Sequence, residues 1–103
     1  MKLLTEQLRR SLPPLYSQEN TINPTVYAKF FTPDSNWTWW VTEGSLEDED
    51  FRFFGFVRGF EDEWGYFMLS ELESATGPFG LPIERDLYFK SGPFTDVVPS
   101  GEH

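Results

Sequence analysis

From Thr25 to Leu69 the chain alternates between two sets of side chains, and short polar breaks cut the alternation into four segments. Val26, Ala28 and Phe30 alternate with Tyr27, Lys29 and Phe31. Trp37, Trp39 and Val41 alternate with Thr38, Trp40 and Thr42. Phe51, Phe53, Gly55 and Val57 alternate with Arg52, Phe54, Phe56 and Arg58, and Trp64–Leu69 makes the fourth segment. A period of two sends successive side chains to opposite faces of a strand, and β-branched and aromatic residues suit a pleated surface. The breaks are Thr32-Pro33-Asp34-Ser35, Glu43-Gly44 with the acidic run Glu47-Asp48-Glu49-Asp50, and Gly59–Glu63. Connections this short join antiparallel neighbours, because parallel ones need a crossover of a dozen or more residues. The pattern predicts an antiparallel meander with Trp37, Trp39 and Val41 on its buried face.

Helical signals flank the meander. Thr5 can cap a helix over Glu6–Leu12, with Leu4, Leu8, Leu12 and Leu15 at helical spacing and Pro13-Pro14 as the stop. Ser17–Pro24 reads as a polar linker. Ser70-Glu71-Leu72-Glu73 has the form of a capping box, so a short helix is expected near residues 71–76, ended by Gly77-Pro78. A fifth strand is expected around Asp86–Lys90, and from residue 94 the Gly, Pro and Ser content predicts a loose tail. The expected fold class is α+β: an antiparallel sheet of about five strands with an N-terminal helix and a second short helix. One domain spans residues 1–93 and the tail covers 94–103. With 103 residues there is room for one core, and an aromatic share of 18% can make it dense.

Composition narrows the chemistry. There is no cysteine, which removes disulfides and thiol chemistry, and the one histidine, His103, is the last residue. Triads and histidine-based metal sites have nothing to work with. Neither G-x-x-x-x-G-K-[ST] nor G-x-G-x-x-G occurs, and Gly77 and Gly80 around Pro78-Phe79 suit a turn. MKLLTEQLRR lacks the apolar stretch of a secretory signal, so Asn36-Trp37-Thr38 is read as an idle sequon and the location as cytoplasmic. The formal net charge is −9, from 17 acids against 8 Lys and Arg. Such a surface disfavours phosphate backbones and attracts basic proteins.

Meander connectivity sorts the acids. Successive turns lie at alternate ends of the sheet, so Asp34 falls near Glu61, Asp62 and Glu63 at one pole. Glu43, Glu47, Asp48, Glu49, Asp50, Glu71 and Glu73 gather at the other, roughly 20–25 Å away for strands of this length. This acidic pole is the first candidate interface, for a basic protein. The second candidate is an aromatic platform of Trp40, Phe54 and Phe56, opposite the buried set, which would stack a small ligand or single-stranded nucleic acid. Few Lys and Arg are interleaved with it. A carboxylate-dependent, metal-assisted hydrolase is the third. The run Glu47–Asp50 lacks the glycine and distant glutamate of a calcium loop, so no catalytic residue, metal or cofactor is assigned.

Three segments carry a family likeness. They are Lys29-Phe30-Phe31-Thr32-Pro33-Asp34 with Thr38-Trp39, then Tyr66-Phe67-Met68-Leu69-Ser70-Glu71-Leu72-Glu73, and Gly77-Pro78-Phe79-Gly80-Leu81-Pro82-Ile83-Glu84-Arg85-Asp86-Leu87. In order and spacing, and with Leu4-Thr5 at the start, the chain resembles domain-of-unknown-function family 2958, small proteins of bacteria, phages and plasmids. The resemblance brings no established activity. It implies a place in mobile-element or DNA-processing biology, with mimicry of DNA's charge as one route. Within the third segment Glu84-Arg85-Asp86 is a candidate recognition motif, in which Arg85 would make a bidentate contact. The alternative is a strand-opening turn with Arg85 paired to a neighbouring carboxylate. The function expected from all this is a non-enzymatic interaction module for a basic partner, with no membrane association and an open oligomeric state.

Overall fold

A computed structural model describes residues 1–100. Its elements are α1 (Glu6–Ser11), β1 (Thr25–Val26), β2 (Ala28–Phe31), β3 (Thr38–Glu47), β4 (Asp50–Arg58), β5 (Asp62–Met68), α2 (Leu69–Ser74), β6 (Glu84–Arg85), β7 (Gly92–Pro93) and α3 (Phe94–Val97). Five strands form one antiparallel sheet in the order β5-β4-β3-β2-β6, and β1 pairs with β7 in a second, two-stranded sheet. The fold is α+β, and the meander runs from β2 to β5.

One face of the large sheet meets the helices. Ala28, Phe30, Trp39, Val41, Phe51, Phe53 and Phe67 pack there with Leu3, Leu8, Leu12, Leu72 and Ile83. Trp37 packs against this core from its edge. Phe53 is fully buried, stacking on Phe67 at 5.5 Å and meeting Phe30 edge-on at 5.6 Å. Thr5 caps α1 by accepting the Leu8 N–H at 3.2 Å, and the following Leu12-Pro13-Pro14 turns the chain onto the sheet. Gly55 is required where β4 passes β3, because a Cβ there would lie 2.0 Å from the Trp40 carbonyl oxygen.

Several elements sit elsewhere than the sequence suggests. The strand expected to stop at Glu43-Gly44 runs on to Glu47, and Glu47 pairs with Asp50. The acidic run is thus a two-residue hairpin tip, Asp48-Glu49, with Asp48 at φ 55, a left-handed conformation that Asp tolerates. Helix α2 starts before Ser70: the Glu71 carboxylate accepts the Met68 N–H at 2.8 Å, and Asp50 of β4 accepts from both the backbone N–H and the hydroxyl of Ser70. It ends at Ser74, not at Gly77, since Ala75 is extended and Gly77 opens a loop closed by its N–H to the Leu81 carbonyl at 2.9 Å.

The fifth strand is Glu84–Arg85, paired with Phe31 and Phe30, rather than Asp86–Lys90. The Asp86 carboxylate accepts the Tyr88 N–H at 2.9 Å and folds the chain away from the ladder. The segment expected to be a loose tail is ordered at its start. Phe94 donates its N–H to the Pro24 carbonyl at 2.8 Å and packs its ring 5.1 Å from Phe56 and 4.9 Å from Trp64. The last part of that segment, with His103, lies outside the described residues. No helix among the described residues is long and apolar enough to cross a membrane.

Candidate functional site

The face of the sheet turned away from the helices carries a cleft built on an irregularity in β3. Up to Val41, which pairs with Gly55, the ladder with β4 is regular; beyond it Glu43 pairs with Phe54, leaving Thr42 as an extra residue. Bulges of this kind re-aim side chains. Glu43 is aligned with Phe54, and Phe54 with Tyr66 on β5, so the three lie in one row across the sheet.

The segment between α1 and β1 closes over that row. Gly44 donates to the Pro13 carbonyl at 3.0 Å and the Leu15 N–H to the Ser45 hydroxyl at 2.9 Å. The Glu43 carboxylate then accepts the N–H of Tyr16 at 2.8 Å and of Gln18 at 2.7 Å. Gln18 completes the attachment through its side-chain amide, which donates to the Thr25 and Thr42 carbonyls and accepts the Thr25 N–H at 2.8 Å. Tyr16 is held at φ 75, a costly conformation for a tyrosine, and such strain concentrates at binding sites. Its ring meets Tyr66 edge-on at 6.3 Å.

Between this segment and the sheet lies a cleft of about 380 Å³. Tyr16, Phe54, Trp64 and Tyr66 supply its rings, and Glu43 and Glu19 its carboxylates. Phe54 lies 4.9 Å from Tyr66 and stacks on Trp64 at 5.8 Å. Trp64 and Tyr66 are 42% and 48% exposed, whereas Glu43 is only 3% exposed. No Lys or Arg forms an ion pair with Glu43 among the described residues. Desolvation by its neighbours, the Tyr16 hydroxyl, and the negative charges of Glu43 and Glu19 push the Tyr66 phenol above its ordinary value. The cleft therefore has negative potential and ring faces at once, a combination that favours a cation.

Of the seven acids expected at one pole, Glu43 lies mid-strand in β3 opposite Phe54, and most are engaged. Glu43 is inside the cleft, Asp50 and Glu71 hold the start of α2, and Glu47 pairs with Arg52 at 2.6 Å. Asp48, Glu49 and Glu73 are exposed. In the aromatic platform, Trp40 is buried while Phe54 and Phe56 are half-buried, so the accessible rings are Trp64 and Tyr66. Cations do interleave with these rings in space: Arg52 lies over Tyr66 at 5.5 Å and Arg58 over Trp40 at 5.2 Å, with Lys29 6.0 Å from the Trp40 ring. Each has a carboxylate partner, respectively Glu47, Asp62 and Asp86. Tyr16, Glu19, Trp64 and Tyr66 are not legible as a site because two segments distant in sequence supply them. Alternation with Phe54 was the one signal available, and it covered only Trp64 and Tyr66.

Glu84-Arg85-Asp86 is a ladder end and a turn. Asp86 lies 3.8 Å from Lys29, whereas Arg85 forms no ion pair among the described residues. The pairing expected for Arg85 in a strand-opening turn is thus absent there. Asp34 accepts the Phe79 N–H at 2.8 Å and the Leu81 N–H at 3.4 Å. No three of His, Cys, Asp and Glu group as a metal site among the described residues.

The profile of the family described as protein of unknown function, DUF2958, matches residues 3–96. The chain belongs to the DUF2958 family. No curated protein and no solved structure matches it. Two of the segments that carry the DUF2958 likeness meet in space, Thr32-Pro33-Asp34 with Gly77–Leu81, through the Asp34 carboxylate.

Proposed function

We propose that this DUF2958 protein is a non-enzymatic module for a basic protein partner, and that its cleft receives a Lys or Arg side chain of that partner. The observation that carries the reading is Glu43: a carboxylate 3% exposed, walled by four aromatic rings and without a cationic partner among the described residues. Two backbone N–H groups satisfy part of its hydrogen-bonding capacity. A buried charge is costly until it is also paired, and ring faces add attraction for a cation, strongest when the site is desolvated. The net charge of −9 acts over a longer range and raises the encounter rate with a basic surface. The exposed acids Asp48, Glu49 and Glu73 contribute to that steering. A protein that itself binds nucleic acid has such a surface, since it must meet phosphates with Lys and Arg, which suits the mobile-element and DNA-processing setting that the family likeness suggests.

Calorimetric titration with N-acetyl-arginine amide and N-acetyl-lysine amide, followed by two-dimensional NMR, tests this. Binding is expected to move the Tyr16, Tyr66 and Trp64 signals and to weaken at least several-fold in Glu43→Gln, which keeps one acceptor oxygen for the two linker N–H groups. Binding that is unaffected by Glu43→Gln in a folded protein, or confined to exposed acids elsewhere, overturns the reading. Tight binding of single-stranded DNA at physiological salt would redirect the assignment to the aromatic face as a nucleic-acid surface.

A further inference from the structure

Strand β5 is an edge of the large sheet, with β4 on one side and, among the described residues, no strand on the other. Along it only Phe67 is buried, and no backbone hydrogen bond links residues 62–68 to a loop or turn among the described residues. At Gly65, its midpoint, the strand carries no side chain, and no atom stands within 4 Å of where a Cβ would lie. Exposed edges are templates for strand addition unless they are blunted. Here the strand begins with Asp62 and Glu63, and Glu61 precedes them. Those charges oppose an acidic strand, and two copies of a chain at −9 repel each other. A basic strand meets no such barrier.

The cleft lies alongside the same edge. Glu43, Phe54 and Tyr66 occupy one cross-strand row, so a residue added opposite Tyr66 would extend that row outward. Its Cα would sit three strand spacings from that of Glu43, roughly 14 Å. A Lys or Arg extended over the Tyr66 and Phe54 rings covers roughly half that distance towards the Glu43 carboxylate, and no shorter cationic side chain comes as near. We propose that the partner presents an extended basic segment, which pairs with β5 as a sixth strand and sends a Lys or Arg along this row into the cleft. The proposal rests on the cleft being a cation site and adds the backbone conformation of what enters it. Affinity would come from main-chain hydrogen bonds and selectivity from the alternate side chains that face the rings.

The test uses the whole chain and a seven-residue capped peptide alternating Arg with Val, compared with N-acetyl-arginine amide. Amide hydrogen exchange by NMR reads the edge directly. The peptide is expected to slow exchange at the β5 amides that do not bond β4, while the single amino acid leaves them unchanged. N-methylation of alternate peptide nitrogens removes the strand bonds but keeps the charge, and should weaken binding by roughly ten-fold or more on one of the two alternating patterns. Movement of Tyr16 and Tyr66 signals with unprotected β5 amides and equal affinity for both N-methylated peptides overturns strand addition and leaves the cleft reading intact. No response to either ligand overturns both. Protection of β5 in the protein alone at rising concentration would assign the edge to a second copy instead.

Discussion

The Asp34 carboxylate accepts the backbone N–H of Phe79 at 2.8 Å, fastening the turn after β2 to a loop 45 residues further along the chain. The same oxygen, Oδ2, takes the Leu81 N–H at 3.4 Å, and the other, Oδ1, is buried against Gly77. A Cβ on Gly77 would fall 1.6 Å from Oδ1. Asp34→Ala is expected to cost about 0.5–1.5 kcal/mol, because it removes the acceptor of two N–H groups that water can reach. Gly77→Ala should also destabilise, by displacing the carboxylate. Since both changes act on one contact, the double variant should lose less than the two single losses combined. Urea denaturation of the four proteins checks this; strictly additive losses would show that the contact does not hold the loop.

Burial in β3 differs sharply between neighbours. Trp39 packs in the helix-covered core and Thr38 is only half-buried. Trp39→Ala should lower stability by about 3–5 kcal/mol, enough to unfold much of a small domain, while Thr38→Ala stays mild. Thermal unfolding followed by circular dichroism measures both, and similar mild effects would contradict the register of the strand.

Among the described residues, Asp50 is the carboxylate with a clear displacement. Hydrogen bonds from the Ser70 hydroxyl and the Phe51 N–H hold it below the ordinary value of 3.8, outweighing some desolvation. A carboxyl group with a lowered folded value binds protons less readily folded than unfolded. Its contribution to stability is therefore complete above about pH 4 and is lost as pH falls through the folded value. In Asp50→Asn the stability of the protein should depend less steeply on pH below that point. Denaturation curves between pH 2 and 6, compared with wild type, give the answer; parallel profiles would mean that Asp50 is not linked to folding.

Neutralising the hairpin should separate two kinds of acid. Asp48→Asn with Glu49→Gln is expected to change stability by no more than about 0.5 kcal/mol, as exposed substitutions usually do. Association with a basic ligand should slow, and more so at low salt. Glu47→Gln and Asp50→Asn should instead destabilise, through loss of the Arg52 pair and of the Ser70 contacts. Stopped-flow association and urea titration distinguish the pairs. Equal behaviour of all four acids would refute the division.

The sheet was legible because its residues obey one period over long stretches. Phe51, Phe53 and Val57 point to the core as their alternation predicts, and Thr5 caps α1 as its position predicts. The errors fall where a distant group completes a local structure. Ser70 looked like a cap, but the acceptor that serves it is Asp50, 20 residues earlier. Asp86 looked like a strand residue until its own side chain folded the backbone into a turn. Glu43 is expected at a strand end, yet β3 runs on to Glu47, and sequence distance hides the engagement of Glu43 with Tyr16 and Gln18. Ser17–Pro24 read as a passive linker for the same reason, because its role depends on hydrogen bonds to β1 and β3 that no local pattern announces.

The extra residue at Thr42 gives β3 two reading frames. In the first, odd-numbered residues such as Trp39 and Val41 face the core; in the second, Gly44 pairs with the buried Phe53 and the odd-numbered Glu43 pairs with the outward Phe54. Carried through in the first frame alone, Glu43 would be a carboxyl group driven into hydrocarbon. The shift of one residue turns that forbidden placement into the floor of the cleft. It also makes the carboxylate hard to lose by a small deletion: removing Thr42 would merge the frames into a regular ladder and still leave Glu43 opposite Phe54. An added residue between Thr42 and Glu43, by contrast, would have to be absorbed by widening the bulge or by turning the acid inward.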